Sequence, residues 1–314
     1  MKVKHLLYCL LAIAYLSPQL LSAQGIAIAP AHAVCDYNLG DKADRLLGQK
    51  MKQALTANGV SSESEFARFA LVPNITISDE HTSSGISPKT TMDLSFTFAV
   101  TDAQTGNVFD SFVINTNAKG TNKANTLHKA IASLQLESGE FRGFISRSRG
   151  RIIDYYERQV DNLISLARSS AKQGEYGFAL YTLSEIPSAI PSYSKVVKAL
   201  EECYRDYANA ESKRLLQQAE AVWAANPTAS GAQEAMEIVR EIPMGTKQDK
   251  AVKAFMAKVS KKMTADNQRE WALLEKEAAR RHAENQAVVK AARDVAVAYA
   301  KNQPKRVYNN IILW

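Results

Sequence analysis

The chain has 314 residues, of which 46% are hydrophobic and 23% charged, and a formal net charge of +7. That much apolar side chain excludes global disorder, and the length calls for more than one domain. The charge excess is too small to argue a nucleic-acid partner, although it suits anionic cell-wall polymer or lipid head groups.

The N-terminus reads as an export signal spanning residues 1–23. Lys2 and Lys4 precede an apolar run from Leu6 to Leu16, and Leu21-Ser22-Ala23 offers small residues for cleavage before Gln24. The run is short for a membrane anchor. The Ala-Gln junction resembles export signals common in Bacteroidetes. Loss of Lys2 and Lys4 with the signal lowers the net charge from +7 to +5. No cysteine follows the cleavage site, so a lipobox is not expected, and no later stretch is long and apolar enough for a transmembrane span in the mature chain. The expected location is periplasmic or outer-membrane associated.

Residues 24–140 read as a small mixed α+β domain. Gly25 to Pro30 is a short buried strand. Asp41 is expected to cap a helix with Leu46, Leu47, Met51, Ala54 and Leu55 on one face, stopped by Asn58-Gly59. Phe66 to Pro73, with Ile75 and Ile77, predicts a second strand whose proline requires an edge or a bulge. Met92, Leu94, Phe96, Phe98 and Val100 alternate with polar or small residues, as a strand with one buried face does. Asp102 to Asn107 has turn chemistry, and Val108 to Asn115 returns as the partner of an antiparallel hairpin. Thr121 or Asn122 then caps a helix bearing Ala124, Leu127, Ala130, Ile131 and Leu134.

The order strand, helix, three strands, helix, with Val100-Thr101-Asp102-Ala103-Gln104-Thr105-Gly106-Asn107-Val108 at the hairpin, resembles a small periplasmic domain. That domain is shared by the Tol-system propeller protein, the curli channel and the lipoprotein activators of penicillin-binding proteins. The resemblance covers about a third of the chain and implies a domain that binds protein partners without catalytic residues.

Residues 141–151 are expected to form a basic linker. Arg142, Arg147, Arg149 and Arg151 fall there with no acid between Glu140 and Asp154. They are the candidate contacts for an anionic partner, set against a plain solvated linker.

From Ile152 the spacing turns helical, and residues 152–262 read as helical hairpins. Tyr155, Tyr156, Val160, Leu163, Ile164, Leu166 and Ala167 form a stripe that Gly174 breaks. Ala179-Leu180 leading to Glu185-Ile186-Pro187 is echoed by Ala235-Met236 leading to Glu241-Ile242-Pro243. The stretch Ala167 to Pro187 resembles a tetratricopeptide-type helical pair, although the period is longer than that family's. Residues 263–314 read as a long charged helix, from Arg269 to Asn302, and an apolar tail from Val307 to Trp314 expected to pack back on the chain. Cys35 and Cys203 are expected as two separate thiols, although an exported protein could join them.

No constellation with metal, cofactor or catalytic spacing stands out. His32 and Cys35 lack further ligands. Glu201-Glu202 are adjacent on a helix and point apart. The expectation is a non-catalytic protein-binding or scaffolding component of the bacterial envelope, with envelope proteins as partners. The alternatives are a binder of anionic cell-wall or lipid material through the four arginines, and a hydrolase with dispersed catalytic residues.

Overall fold

The computed structural model describes residues 25–61, 67–262 and 288–302. The export signal, residues 263–287 of the charged helix, and the C-terminal tail lie outside the described residues. Two compact units divide the chain. The first runs to Arg158 and takes in Pro187–Pro191; the second holds Gln159–Ile186 and the described residues from Ser192 on.

The first unit is a four-stranded mixed sheet with helices. Strands β1 (Ile28–Pro30), β2 (Phe69–Thr82), β3 (Thr90–Asp102) and β4 (Val108–Gly120) lie in that order across the sheet. β1 and β2 run parallel, so the chain between them must cross over, and helix α1 (Asp41–Ala57) lies in that connection. The other pairs are antiparallel, with Phe96 opposite Ile75 on one side and Ile114 on the other. The alternation predicted along β3 holds: Met92, Leu94, Phe96, Phe98 and Val100 are all buried.

Pro73 explains why β1 is short. A regular parallel ladder past Leu71 would need the amide of residue 73 as a donor, and proline has none. The pairing slips instead. Leu71 O accepts from Ala31 N, but Pro73 O accepts from Val34 N, and Ile75 N donates to Val34 O. One extra residue is thereby accommodated at His32-Ala33, a bulge on the neighbouring segment where the proline had pointed to an edge or a bulge.

The β3–β4 turn is organised by Asp102, which is wholly buried. Its Oδ1 accepts from Gln104 N and Thr105 N at 2.8 and 3.0 Å, and its Oδ2 accepts from Arg68 Nε at 2.8 Å. Gly106 takes a φ of 74° there, which a side chain would strain. Two details of capping differ from the sequence reading. Gly40, not Asp41, holds the cap position of α1, and Asp41 and Asp44 instead place negative charge in the first turn, where the helix dipole favours it. In helix α2 (Lys123–Ser133) the cap is Asn122, whose side chain accepts from Asn125 N. There Ala124 is exposed and Thr126 is buried in its stead, donating to Thr90 O at 3.0 Å.

The stretch 141–151, expected as a linker, is helical. It lies within α3 (Gly139–Lys172), a 34-residue helix. The reason is apolar: Phe141, Phe144, Ile145 and Ile152 are fully buried at three-to-four spacing, with buried Ser148 between them donating to Phe144 O. Phe141 meets Phe98 and Phe112 edge-on at 5.5 and 5.7 Å. Farther along, Tyr156 meets Phe69 at 6.0 Å and Tyr155 meets Phe109 at 5.7 Å.

The second unit is helical. It holds the rest of α3, α4 (Tyr176–Ser184), α5 (Tyr193–Ala225), α6 (Ala229–Glu241), α7 (Asp249–Ser260) and α8 (Val288–Asn302). Gly174 ends α3 at a φ of 86°, with Glu175 N donating to Ser170 O. Trp223, Met236, Phe255 and Val259 sit in the core shared by α5, α6 and α7.

Removing one ring from the α3 seam tests the helical reading of 141–151. Phe141→Ala is expected to cost about 3–5 kcal/mol by urea unfolding, whereas Arg142→Ala, on the exposed side, should stay within about 0.5 kcal/mol.

Candidate functional site

The four candidate arginines are brought onto one helix but not to one site. Arg147 and Arg151, four residues apart on α3, share a face and converge on Asp110 of β4. Arg147 Nε donates to Asp110 Oδ2 at 3.2 Å, and Arg151 Nη1 donates to Asp110 Oδ1 and to Phe109 O, each at 2.9 Å. Asp110 Oδ1 also accepts from Ser111 N at 2.9 Å. The carboxylate is 9% exposed while the two arginines are 54% and 57% exposed. The anion these two hold is therefore internal, and water still reaches both cations. Arg142 stands apart, donating from Nε and Nη2 to Glu137 O at 3.1 and 2.9 Å. Arg149 buries its Nε without a hydrogen-bond partner among the described residues.

The other singled-out groups serve local structure. His32 Nδ1 lies 2.7 Å from Asp44 Oδ2, tying the bulge to α1. Cys35 Sγ donates to Tyr37 O at 3.0 Å. No group of three or more metal-ligating side chains occurs among the described residues. Glu202 pairs with Arg168 at 2.7 Å. Cys35 and Cys203 are free thiols. Burial, followed by the nearby Asp206 and Glu202 carboxylates, pushes the Cys203 thiol up to about 11. Burial likewise pushes the Tyr37 phenol up to about 12. A shallow depression along α1 is lined by Leu46, Gln49, Lys50, Lys52, Gln53 and Thr56, with no acid or nucleophile suited to bond chemistry.

An aromatic contact in the second unit escaped the sequence reading. Phe178 and Tyr181 of α4 meet Tyr299 of α8, with ring centroids 6.4 and 5.8 Å apart. Arg293 Nη2 of α8 donates to Tyr193 Oη of α5 at 2.9 Å. Burial, with the Asp294 carboxylate adding to it, raises the Tyr204 phenol on α5. The heptad-like spacing of Val288, Ala292, Val295 and Tyr299 predicts a stripe docked on the preceding hairpins, without naming the residues it meets.

No family model matches the chain, and no curated protein matches it. Among solved structures the chain is similar in part to a PelC dodecamer from Paraburkholderia phytofirmans, at 16% identity over 36% of this chain and 86% of that one, TM-score 0.23. It is similar to a minor lipoprotein from Acinetobacter baumannii at 21% identity, over 43% and 92% of the two chains, TM-score 0.22. A lipoprotein from Caulobacter crescentus matches at 11% identity, over 41% of this chain and 86% of that one, TM-score 0.21. Likenesses this distant carry no weight for function.

Two outcomes are expected here. Asp110→Ala should destabilise the chain by about 1–2 kcal/mol, because the arginines it releases can turn to water; urea unfolding reads this, and a cost near zero would remove the clamp. Cys203 should resist Ellman's reagent at pH 8 in the folded chain and react once unfolded. Its folded pKa of about 11 lies above the reference of 9.0. The unfolded thiol therefore loses its proton first, and this group's contribution to stability is full below 9 and is lost as pH rises toward 11.

Proposed function

We propose that the chain is an exported, non-catalytic protein-binding or scaffolding component of the bacterial envelope. The observation that supports this reading is a like pattern of burial in two helix pairs whose outer residues differ. Ala179, Leu180, Leu183, Ile186, Val196, Ala199, Leu200 and Cys203 are buried. The residues 56 positions on, from 179 to 235 and onward, are Ala235, Met236, Val239, Ile242, Val252, Phe255, Met256 and Val259, and all are buried too. Outside the core the match ends: Gly177, Phe178 and Tyr181 correspond to Gln233, Glu234 and Glu237, all three exposed. Stacked helical hairpins that keep an interior and vary an exterior suit the recognition of partners. The strand and helix order of the first unit is in keeping with the small periplasmic domains that the sequence resembles. Among the described residues no helix is long and apolar enough to cross a membrane.

On the anionic-material reading the remaining candidates are Arg142, which is exposed, and Arg149, whose buried Nε has no hydrogen-bond partner among the described residues. Arg147 and Arg151 are already committed to Asp110.

The test places a photo-crosslinking residue at Asn115 or Glu234, both exposed, in the native cell. Discrete heavier species recovered with the envelope fraction are expected, together with a mature N-terminus at Gln24. A chain that gives no discrete adduct from either unit, or that turns over a substrate in a screen, would contradict the scaffold. For the second reading, Arg142→Ala with Arg149→Ala should leave sedimentation with phosphatidylglycerol vesicles unchanged; a severalfold loss that moderate salt reproduces would favour the electrostatic alternative.

A further inference from the structure

The outer edge of β4 is open along its middle and held by cations at both ends. Which backbone groups face outward follows from the ladder. Leu71 O and Pro73 O of β2 accept from Ala31 N and Val34 N, and Ile75 N donates to Val34 O, so these odd-numbered residues turn their backbone away from β3. In an antiparallel ladder a residue directs its N–H and C=O to one side and its neighbours direct theirs to the other. The even-numbered residues of β2 therefore face β3, and the pairs Asn74 with Thr97 and Thr76 with Ser95 leave the even-numbered residues of β3 to face β4. Phe96 stands opposite Ile114, so from Ser111 to Lys119 the odd-numbered residues of β4 point out of the sheet.

Side chains close the two ends of that row. At one end Arg151 Nη1 donates to Phe109 O at 2.9 Å, and Asp110 Oδ1 accepts from Ser111 N at 2.9 Å. At the other Lys129 Nζ donates to Lys119 O at 3.2 Å. The amides of Val113, Asn115, Asn117 and Lys119, and the carbonyls of Ser111, Val113, Asn115 and Asn117, have no hydrogen-bond partner among the described residues. Ser111, Val113, Asn115 and Asn117 are all exposed. Phe112 to Thr116 holds no charge, proline or glycine, the residues by which sheet edges are commonly blunted.

Charge says what the edge suits. Arg147 and Arg151 share one carboxylate at the first end, which leaves it positive. Lys119 and Lys129 are exposed at the second, with no acid partner among the described residues. Asp93, across the sheet from Asn117, is occupied by Asn117 Nδ2.

We infer that this edge receives an extended segment of a partner protein as a fifth strand, uncharged along its middle and acidic at both ends. The inference names the partner's chemistry within the scaffold reading and rests on it. Main-chain bonds hold such a strand, and its end charges fix its position. The guarded carbonyls of Phe109 and Lys119 are ten residues apart, so the two acids are ten apart as well. A second copy of this chain fits less well. Antiparallel pairing of two β4 edges about Ile114 would bring the Lys119 end of each against the Arg151 end of the other, cation on cation.

The experiment uses the full chain and a fluorescent eleven-residue peptide, read by anisotropy at low salt. The peptide has glutamate at each end, with valine and threonine alternating between. It should bind at least about fivefold more tightly than the same peptide ended by lysine. N-methylation of one alternate set of its amides should abolish binding, and N-methylation of the other set should not, because only one set faces β4. Val113→Pro removes an outward amide and no ladder bond, and should weaken binding at least about tenfold with an unchanged far-UV circular dichroism spectrum. Lys119→Glu with Lys129→Glu should remove the preference for glutamate ends. Equal binding of the two peptides, equal tolerance of both methylation patterns, or no binding at high micromolar chain overturns the inference. So does a dimer in sedimentation that Val113→Pro dissolves, since a second copy would then hold the edge. If discrete cross-links persist in the cell while the peptide fails, the β4 site falls and the scaffold reading stands.

Discussion

Edge-to-face packing between α3 and the β3–β4 hairpin is the constraint from which the rest of the first unit follows. Phe98, Phe112, Phe141 and Phe144 form one continuous group of rings, and Phe69, Phe109, Tyr155 and Tyr156 form another farther along the same helix. Aromatic pairs of this geometry add to the area they bury and fix orientation as well. The clamp of Arg147 and Arg151 on Asp110 lies between the two groups in sequence, so charge and rings hold the same helix to the same strand. With α3 seated, one face of β3 is closed and its alternation has a purpose.

Much of this was legible in sequence because it is local. The period of two in β3, the Asp102 turn, the Asn122 cap and the Gly174 stop depend on neighbours within a few residues. The linker expected at 141–151 shows the limit. Four arginines drew attention to charge, while Phe141, Phe144, Ile145 and Ile152 carried the helical period through the same stretch. Reading the apolar residues first would have extended the helix back to Gly139. Arginines on the exposed side are compatible with a helix whose other side is buried, so charge alone could not separate linker from helix.

The sites depended on distance. Arg147 and Arg151 look free along the chain because Asp110 stands 37 and 41 residues away. The same holds for Arg293, whose tyrosine partner lies 100 residues earlier. The glycine at 177 carries no local sign of its use; within a helix it reads as a mild defect. Only Tyr299, whose Cδ2 would lie 2.6 Å from a Cβ at that position, gives it a reason. The echo read between Ala179-Leu180 and Ala235-Met236 is matched by burial at both places, whereas in the next helix the sequence pairs Val196 with Ala251, which is exposed, and the buried residue is Val252.

A prolyl nitrogen has effects beyond its own strand. Without a proton at Pro73, the chain beside it cannot keep step, and the residue shed from the ladder carries an imidazole outward to the first turn of α1. An acid placed there for the helix dipole acquires a second use as a fastening. The length of the neighbouring strand and the mooring of the crossover helix are thus both written into the choice of one ring on β2.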